Sequence, residues 1–340
     1  MVILLPGGAG YIGSHTAVEL LNNGFDIIVL DNLNNSKKEV IENIKRITGK
    51  DFKFYEMDYR NRQDLEKVFE ENTIDAVINF AGYKSVGESV EKPLEYYDNN
   101  LFGAITLLNV MKEHDIKKFI FSSSATVYGD PGVSKMDETM PRGKITNPYG
   151  TTKAMIEKIL EDLYASDNTW KICILRYFNP VGAHESGLLG EVPNGIPNNL
   201  VPYITQVASG KREILSVYGN DYDTKDGTGV RDFIHIVDLA KGHLKALDKL
   251  QRLQKEESGI LYYNLGTGVP HSVLEMVTTF EKVNGVKVPY KIVARRPGDL
   301  AEVYADPSKA NKELGWKAEK TIEDMCRDTW RFANNGAVPF

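Results

Sequence analysis

Tyr149 and Lys153 stand four residues apart in the segment NPYGTTK, where a helix is predicted to begin. Asn147 is a favourable N-cap residue and Pro148 suits the first helical position, so Tyr149 falls in the first turn. A tyrosine hydroxyl ordinarily titrates near ~10, and a nearby ammonium group favours its ionised form. The spacing therefore predicts a tyrosine that a lysine tunes for taking a proton from an alcohol.

The helical phase places both residues on the face that packs inward. From Lys153 the same stripe continues through the apolar residues Ile156, Leu160 and Leu163. A lysine on such a stripe needs a partner or a chemical role, because charged side chains are rarely buried. A solvated surface lysine fits this position poorly.

Ser124 is predicted to complete the catalytic group. It ends the run KKFIFSSS, which predicts a buried strand. Ligands of open parallel sheets bind at the carboxyl ends of the strands, so its hydroxyl can hold the same substrate oxygen that Tyr149 deprotonates.

Short apolar runs alternate with amphipathic stretches through the first half of the chain. Runs such as DIIVL and KFIFS predict a parallel sheet covered on both faces, which is a doubly wound α/β fold of the Rossmann type. The predicted strands lie near residues 2–5, 26–30, 53–56, 76–80, 118–122 and 171–177. The predicted helices lie near residues 12–23, 37–48, 62–71, 93–114 and 148–165.

The amino-acid composition of the sequence changes near residue 180. The segments GLLGEVPNGIPNNL and GNDYDTKDGTGVRD predict long loops, which often carry binding functions. We therefore assign residues 1–180 to a nucleotide-binding domain and residues 181–340 to a smaller mixed α/β lobe that binds substrate. Strands near residues 232–236 and 262–265 are candidates for returning to the first domain.

The segment LLPGGAGYIGSH places Gly7, Gly10 and Gly13 directly after the first strand and at the start of a helix. Glycines there let the backbone approach a pyrophosphate, which then lies against the helix N–H groups. Asp31 ends the second strand, where an acid accepts hydrogen bonds from the adenosine ribose and repels a 2′-phosphate. The set predicts NAD rather than NADP, and a cationic nicotinamide would further favour the Tyr149 phenolate.

The composition argues against several other classes of protein. The chain has 340 residues, 42% hydrophobic and 26% charged, and its net charge of −6 favours neither a nucleic-acid nor a membrane surface. Cys173 and Cys326 show no metal or disulfide spacing, and the apolar run at residues 2–5 is too short for a signal peptide. We therefore expect a cytoplasmic protein with no metal.

These motifs together resemble the extended short-chain dehydrogenase/reductases and, within them, the UDP-glucose (UDP-galactose) 4-epimerase family. The similarity spans essentially the whole chain, through blocks that include LDNLNNS, NFAGYKSVGES, PLEYYDNN, LRYFNPVGAH, YNLGTG and RRPGDL. The resemblance implies reversible C4 epimerisation of UDP-glucose and UDP-galactose through a transient 4-keto sugar. It also implies tightly bound NAD and a homodimer.

The resemblance further implies a set of cofactor contacts. Those on the adenosine half of NAD would be Tyr11, Ile12, Asp31, Asn32, Asn35 and Ser36, with Asp58 and Tyr59 beside the adenine. Those along the rest of the cofactor would be Phe80, Ala81, Gly82, Lys84, Asn99, Ser122, Tyr149, Lys153 and Tyr177.

A second implied set would hold the sugar nucleotide. Its members are Ser124, Tyr149, Asn179, Asn199, Leu200, Ser216 and Tyr218, with Asp299 on the uridine ribose. Arg231 and Arg296 would bind the diphosphate, since each guanidinium offers a planar fork of donors.

Two positions depart from the family pattern. Pro6 replaces the hydroxyl residue usual before the paired glycines, which bears on the geometry of the loop. Val303 stands where some epimerases carry a bulky tyrosine beside the C2 substituent of the sugar. We therefore hypothesise that UDP-GlcNAc and UDP-GalNAc are also substrates.

Particular residues distinguish epimerisation from other activities of related proteins. A 4,6-dehydratase or a uronate decarboxylase needs carboxylates just after the strand-end hydroxyl, where this chain has Ala125 and Thr126. A nucleotide-sensing regulator would not need Tyr149 and Lys153, and a dehydrogenase that releases its reduced cofactor would need external NAD. A UDP-glucuronate 4-epimerase or another NAD-dependent sugar-nucleotide oxidoreductase stays open as the alternative.

Overall fold

The computed structural model describes residues 1–193, 195–254, 259–296 and 298–335. The strands are β1 Val2–Pro6, β2 Asp26–Asp31, β3 Lys53–Glu56, β4 Ala76–Asn79, β5 Lys118–Ser124, β6 Lys135–Met136, β7 Lys171–Tyr177, β8 Asn179–Val181, β9 Leu215–Tyr218, β10 Val230–Arg231, β11 Phe233–His235, β12 Ile260–Leu265, β13 His271–Ser272, β14 Tyr290–Val293 and β15 Glu302–Ala305. The helices are α1 Tyr11–Asn22, α2 Glu39–Thr48, α3 Arg62–Glu70, α4 Val86–Glu91, α5 Pro93–Tyr96, α6 Gly103–Glu113, α7 Pro148–Ser166, α8 Leu200–Ala208, α9 Ile236–Arg252, α10 Val273–Asn284, α11 Ser308–Leu314 and α12 Ile322–Asn334.

A seven-stranded parallel sheet forms the centre of the fold. Its strand order is β3–β2–β1–β4–β5–β7–β12. Five of the predicted strands, β1, β2, β4, β5 and β7, are largely buried, whereas the edge strand β3 is only partly buried. The predicted doubly wound α/β fold is therefore confirmed.

Two hydrophobic cores lie on opposite faces of this sheet. On one face the buried side chains come from α1, α2, α9 and α11, and on the other they come from α3, α6 and α7. The inward stripe predicted for α7 contributes Ile156 and Leu160 to the second core. Packing of that stripe places the first turn of α7 beside the carboxyl ends of β5 and β7.

The helix predicted near residues 93–114 is built from three pieces. Between α5 and α6 lies a π-helix at Tyr97–Phe102, whose wider turn buries both Asn99 and Asn100. A hydrophobic period near 3.6 residues cannot reveal an i→i+5 segment, so the sequence predicted one continuous helix. Such π-segments are frequent at functional sites.

The second half of the chain contributes to the main sheet and also builds smaller ones. β12, which contains the segment expected near 262–265, completes the main sheet beside β7. β11, near the segment expected at 232–236, pairs with β8 in a two-stranded sheet, and its Ile234 packs in the core beside the main sheet, so its place in the first domain stays a prediction. The domain boundary at residue 180 and the second lobe at residues 181–340 stay predictions. Some residues of that lobe lie outside the described part of the chain.

The remaining strands form smaller sheets. β13, β10, β15 and β6 form a four-stranded sheet, and β14 pairs with β9. α8, α10 and α12 enclose a third hydrophobic core behind them. Across the described residues, no helix combines the length and apolar character needed to cross a bilayer.

Candidate active site

Lys153 is held inside the protein by the strand beside it. Its side chain is only 6% exposed, and its Nζ donates a hydrogen bond of 2.7 Å to the carbonyl of Ser122 on β5. The ammonium group lies 4.9 Å from the ring centre of Phe121 and 5.9 Å from that of Tyr149. Burial lowers the pKa of Lys153 to about 8, while the carboxylate of Glu157 opposes this shift.

Tyr149 occupies the first turn of α7, as predicted. Asn147 caps this helix, since its side chain accepts a hydrogen bond of 2.8 Å from the N–H of Gly150, and Pro148 is the first helical residue. Burial raises the pKa of Tyr149, and the Ser124 side chain lowers it by a smaller amount. Burial is therefore the larger influence on the pKa of Tyr149 in the protein alone, and the positive charge that the sequence analysis assigned to a bound nicotinamide would act in the opposite direction.

Ser124 ends β5 and faces the Tyr149 phenol. Its Oγ accepts hydrogen bonds from the Thr126 N–H at 3.2 Å and the Thr126 hydroxyl at 3.0 Å. Because Thr126 supplies these donors, the Ser124 proton can be donated to an oxygen on the Tyr149 side. Ala125 and Thr126 begin the short 3₁₀-helix that follows, so no carboxylate occupies these two positions.

The glycine loop has the tight geometry that the sequence predicted. Gly7 adopts φ +75°, and a Cβ there would lie 2.5 Å from the Ala81 nitrogen, while one on Gly13 would lie 2.5 Å from the Gly7 oxygen. A Cβ on Gly10 would meet only the Gly7 oxygen, at 3.2 Å, so this side of the loop is open. Pro6 is accommodated as the last residue of β1, where its carbonyl accepts a hydrogen bond from the Phe80 N–H.

The N-terminus of α1 is suited to an anion. Gly10 is its N-cap residue and supplies no side-chain cap, and its first turn carries no acidic residue. Tyr11 and Ile12 therefore begin the helix with N–H groups directed at the open side of the loop. This cradle fits the pyrophosphate of NAD.

Asp31 connects the second strand to the loop. One carboxylate oxygen accepts from the Ala9 N–H at 3.1 Å, and the other accepts from the Leu33 N–H and the Ser36 hydroxyl at 2.9 and 2.8 Å. Burial raises the pKa of Asp31, whereas these hydrogen bonds act to lower it. Carboxylate oxygens have further acceptor capacity, so Asp31 can also bind ribose hydroxyls.

The expected adenine contacts form a second cluster beside Asp31. Asn32 donates to Asp58 at 3.0 Å, and the hydrogen bonds of Arg60 hold the pKa of Asp58 at about 2. Tyr59 is buried and donates to the Asn99 carbonyl in the π-helix. Asn35 lies between Asp31 and α2, on the segment that carries Ser36.

Asn100 was missed by the sequence analysis. Its side chain accepts from the Tyr83 N–H at 2.7 Å and donates to the Tyr83 carbonyl at 3.0 Å and the Thr152 hydroxyl at 3.2 Å. It therefore fixes the segment of Ala81 and Gly82 to α7. The only sequence signal was the pair Asn99-Asn100 within a predicted helix, where asparagine is unfavourable.

Glu191 was also missed, and it connects two of the implied ligand sets. Its Oε1 accepts from Lys84 Nζ at 2.6 Å and from the Asn199 amide at 2.8 Å. Lys84 also lies 5.6 Å from the ring centre of Tyr11. A cofactor-side lysine and a substrate-side asparagine therefore share one carboxylate.

Tyr177 ends β7 next to the catalytic group and has a buried partner. Its hydroxyl donates to Nε2 of His243, whose Nδ1 donates to the Leu239 carbonyl at 2.9 Å. Burial lowers the pKa of His243 to about 4, so this imidazole stays a neutral acceptor. The ring of Phe80 lies 5.0 Å from the same imidazole.

The two arginines expected at the diphosphate lie close to each other. Arg231 is 3.7 Å from the carboxylate of Asp299, and Arg296 stacks 4.3 Å from the ring centre of Tyr218. Burial lowers the pKa of Arg231, and the positive charge of Arg296 contributes to this shift. Two guanidiniums close enough to act on each other suit a diphosphate, because each offers a fork of donors.

The other residues of the substrate set lie on nearby strands and at a helix start. Ser216 and Tyr218 alternate on β9 with the buried Leu215 and Val217, so both point away from the third core. Leu200 begins α8, and the exposed Asn179 begins β8. Val303 is partly buried on β15 in register with Arg231.

Comparisons with known proteins find relatives over nearly the whole chain. A family model described as GDP-mannose 4,6 dehydratase matches residues 4–329. Since Ala125 and Thr126 occupy the positions where dehydratases need carboxylates, this match reflects shared family membership rather than a shared reaction. The UDP-glucose 4-epimerase of Bacillus subtilis is 59% identical over 335 residues, which are 98% of this chain and 97% of that protein.

Solved structures show the same relationship. UDP-glucose 4-epimerase from Bifidobacterium longum, in complex with NAD+ and UDP, is 55% identical with a TM-score of 0.94, covering 99% of both chains. The enzyme from Stenotrophomonas maltophila, with bound NAD and formylated UDP-arabinopyranose, is 48% identical with a TM-score of 0.95 and the same coverage. The resemblance inferred from the motifs is confirmed, and the chain belongs to the UDP-glucose 4-epimerase family.

Proposed function

We propose that this chain catalyses the reversible C4 epimerisation of UDP-glucose and UDP-galactose through a transient 4-keto sugar, with tightly bound NAD. The observation that carries this proposal is the group formed by Tyr149, Lys153 and Ser124 at the carboxyl ends of β5 and β7. Those residues can move a proton at a carbinol oxygen, but they include no carboxylate that could catalyse the elimination of water. Epimerisation needs only the first of these steps, taken once in each direction.

Each residue then has one task. Tyr149 takes the proton of the sugar 4-hydroxyl, Lys153 favours the phenolate, and Ser124 orients the oxygen. NAD accepts the hydride from C4 and returns it. The Gly7–Gly13 loop and Asp31 hold the pyrophosphate and the adenosine ribose, and the remaining implied contacts line the same groove.

The substrate is held at its nucleotide end. Arg231 and Arg296 bind the diphosphate, and Asp299 binds the uridine ribose. These groups belong to β10 and the segment before β15, whereas the catalytic group belongs to β5 and α7. A sugar anchored at one end can turn about the diphosphate and present its other face to the same hydride donor, which is what inversion requires.

The direct test is to mix the purified protein with UDP-galactose alone and follow the sugar nucleotides by chromatography. UDP-glucose should form without added NAD, because the cofactor is regenerated in every turnover. A requirement for stoichiometric external NAD would indicate a dehydrogenase and contradict the proposal. UDP-glucuronate in a parallel reaction tests the alternative substrate.

We also propose that N-acetylated UDP-sugars are substrates, because the small side chain of Val303 leaves room for a larger C2 substituent on the sugar. Val303→Tyr is expected to lower conversion of UDP-GlcNAc by about 10–200-fold, the range for steric discrimination in a pocket, and to spare UDP-galactose. Val303→Ala is the matched control and should keep both activities. No conversion of UDP-GlcNAc by the unaltered protein at high concentration would contradict this extension.

We propose a cytoplasmic homodimer as the working form. Support for a dimer comes from exposed apolar side chains on adjoining helical segments, namely Val90, Leu94, Phe102, Ile105 and Met155. Phe102→Glu is expected to shift the protein from dimer to monomer in sedimentation, whereas a monomeric unaltered protein would contradict the proposal. Cys173 and Cys326 are buried free thiols, which suits a reducing compartment.

A further inference from the structure

The three consecutive serines at the end of β5 each contact one residue of α7. The Ser122 carbonyl accepts from Lys153, and the Ser124 side chain acts on Tyr149. Between them, the hydroxyl of Ser123 donates a hydrogen bond of 2.6 Å to Glu157. Glu157 follows Lys153 by one helical turn, so three successive strand residues are matched to one face of the helix.

Glu157 is a carboxylate with no exposed surface. Arg176 on β7 donates to both of its oxygens, at 3.0 and 2.8 Å, and Arg142 lies 3.6 Å from one of them. Ser123 and Arg176 are themselves 1% and 4% exposed. A buried ion pair with neighbouring hydrogen bonds is not a strong source of stability, because the desolvation of the charges offsets their attraction. Stability alone therefore does not explain why the Glu157–Arg176 pair lies directly behind Lys153.

We propose that Glu157 is a positioning residue for the epimerase reaction, which fixes α7 to β5 and β7 and places a buried carboxylate one helical turn from Lys153. The inference rests on the proposed function only in assigning Lys153 its role. The geometry carries it, since Glu157 touches β5 through Ser123 and β7 through Arg176, on the helix that bears both catalytic residues. The carboxylate also opposes the fall in the pKa of Lys153 that burial causes.

Apart from Glu157, the groups that the described residues place around Lys153 are uncharged. From β5 come the Ser122 carbonyl and the Phe121 ring, and from its own helix come Tyr149 and Glu157. Tyr177 on β7 faces Tyr149, and burial keeps its pKa well above the ordinary value. Removing the Glu157 charge should therefore lower the pKa of Lys153 further.

Two arginines and a tyrosine lie around the Glu157 carboxylate. Arg176 and Arg142 are the cations that face it, and Tyr262 on β12 lies near enough for the Glu157 charge to raise the pKa of that phenol. The Arg176 guanidinium is in turn stacked 4.7 Å from the ring centre of Tyr128.

The sign of the expected effect follows from the proposed chemistry. Turnover needs Lys153 charged, so activity falls as pH rises through its pKa. Glu157→Gln should move the midpoint of this alkaline fall in kcat to lower pH by about one unit. Glu161→Gln, one turn farther along α7, is the matched control, since Glu161 pairs with Arg142 and Tyr262 and should leave the midpoint in place.

Two further measurements keep the inference testable. If Glu157→Gln does not fold because Arg176 is left unpaired, the double variant Glu157→Gln/Arg176→Met removes both charges and should show the same shift. The titration of Lys153, followed by NMR of ¹³Cε-labelled lysine and assigned with Lys153→Met, should shift in parallel, whether or not the protein turns over UDP-galactose.

The outcomes separate this inference from the proposed function. An active unaltered protein whose Glu157→Gln variant only unfolds at lower temperature, with kcat midpoint and Lys153 titration unchanged, would overturn the role of Glu157. An inactive unaltered protein would contradict the proposed function, and the NMR titration would still decide whether Glu157 sets the charge of Lys153.

Discussion

Tyr149→Phe should lower the turnover of UDP-galactose by roughly 10²–10⁴-fold, the usual contribution of a positioned proton-transfer group. The substitution removes the hydroxyl that faces Ser124 and keeps the ring that fills the first turn of α7. The amount of NAD that copurifies should not change, because the glycine loop and Asp31 stay in place. Steady-state kinetics and the absorbance of NAD released on denaturation measure the two effects.

Tyr164→Phe is the control on the same helix. Tyr164 lies in the last turn of α7, at the opposite end of the helix from Tyr149. Its hydroxyl accepts a hydrogen bond of 3.0 Å from the Gly259 N–H. It should lose a little stability and keep its turnover. Near-normal activity of Tyr149→Phe would refute the role of the phenol in proton transfer.

Gly13→Ala should release NAD and destabilise the protein by about 1–3 kcal/mol, the cost of overpacking a close backbone contact. The added Cβ would lie 2.5 Å from the Gly7 oxygen and 2.7 Å from the Gly8 Cα, and neither backbone atom can move without opening the loop. α1 would then shift away from the position where its N–H groups meet a pyrophosphate. Urea unfolding and the NAD content of the purified protein measure these changes.

Two further glycines provide contrasts. Gly10→Ala adds a Cβ on the open side of the loop, so it should weaken NAD binding with little loss of stability. Gly87→Ala on α4 meets no atom within 4 Å, so it should leave the NAD content unchanged and should not destabilise the protein. If Gly13→Ala retained full NAD content, the close packing of the loop against α1 would have no part in cofactor binding.

The sequence predicted the parts of this site that depend on local rules. The capped first turn of α7, the inward phase of Lys153 and the position of Ser124 at a strand end each follow from patterns within one element. The glycine loop and Asp31 were also predictable, because strand, loop and helix follow one another directly along the chain. The structure confirms the placement of these elements.

The residues that the sequence analysis missed act between elements distant in the chain. Glu157 meets Ser123 and Arg176 across 34 and 19 residues, and Glu191 meets Lys84 across 107. No periodicity within one helix or strand indicates which charged partners meet in a buried position. The pairing of β11 with β8 was missed for the same reason, since a three-residue strand carries no information on its neighbour.

In the proposed reaction, the hydrogen at C4 leaves as hydride and returns to the same carbon within one active site. The most direct test uses UDP-galactose deuterated at C4, with the purified protein and no added NAD, and NMR or mass spectrometry of the UDP-glucose formed. We predict that the product keeps deuterium at C4. Hydrogen derived from solvent at that position would contradict the account, because the proton handled by Tyr149 belongs to the oxygen and never to the carbon.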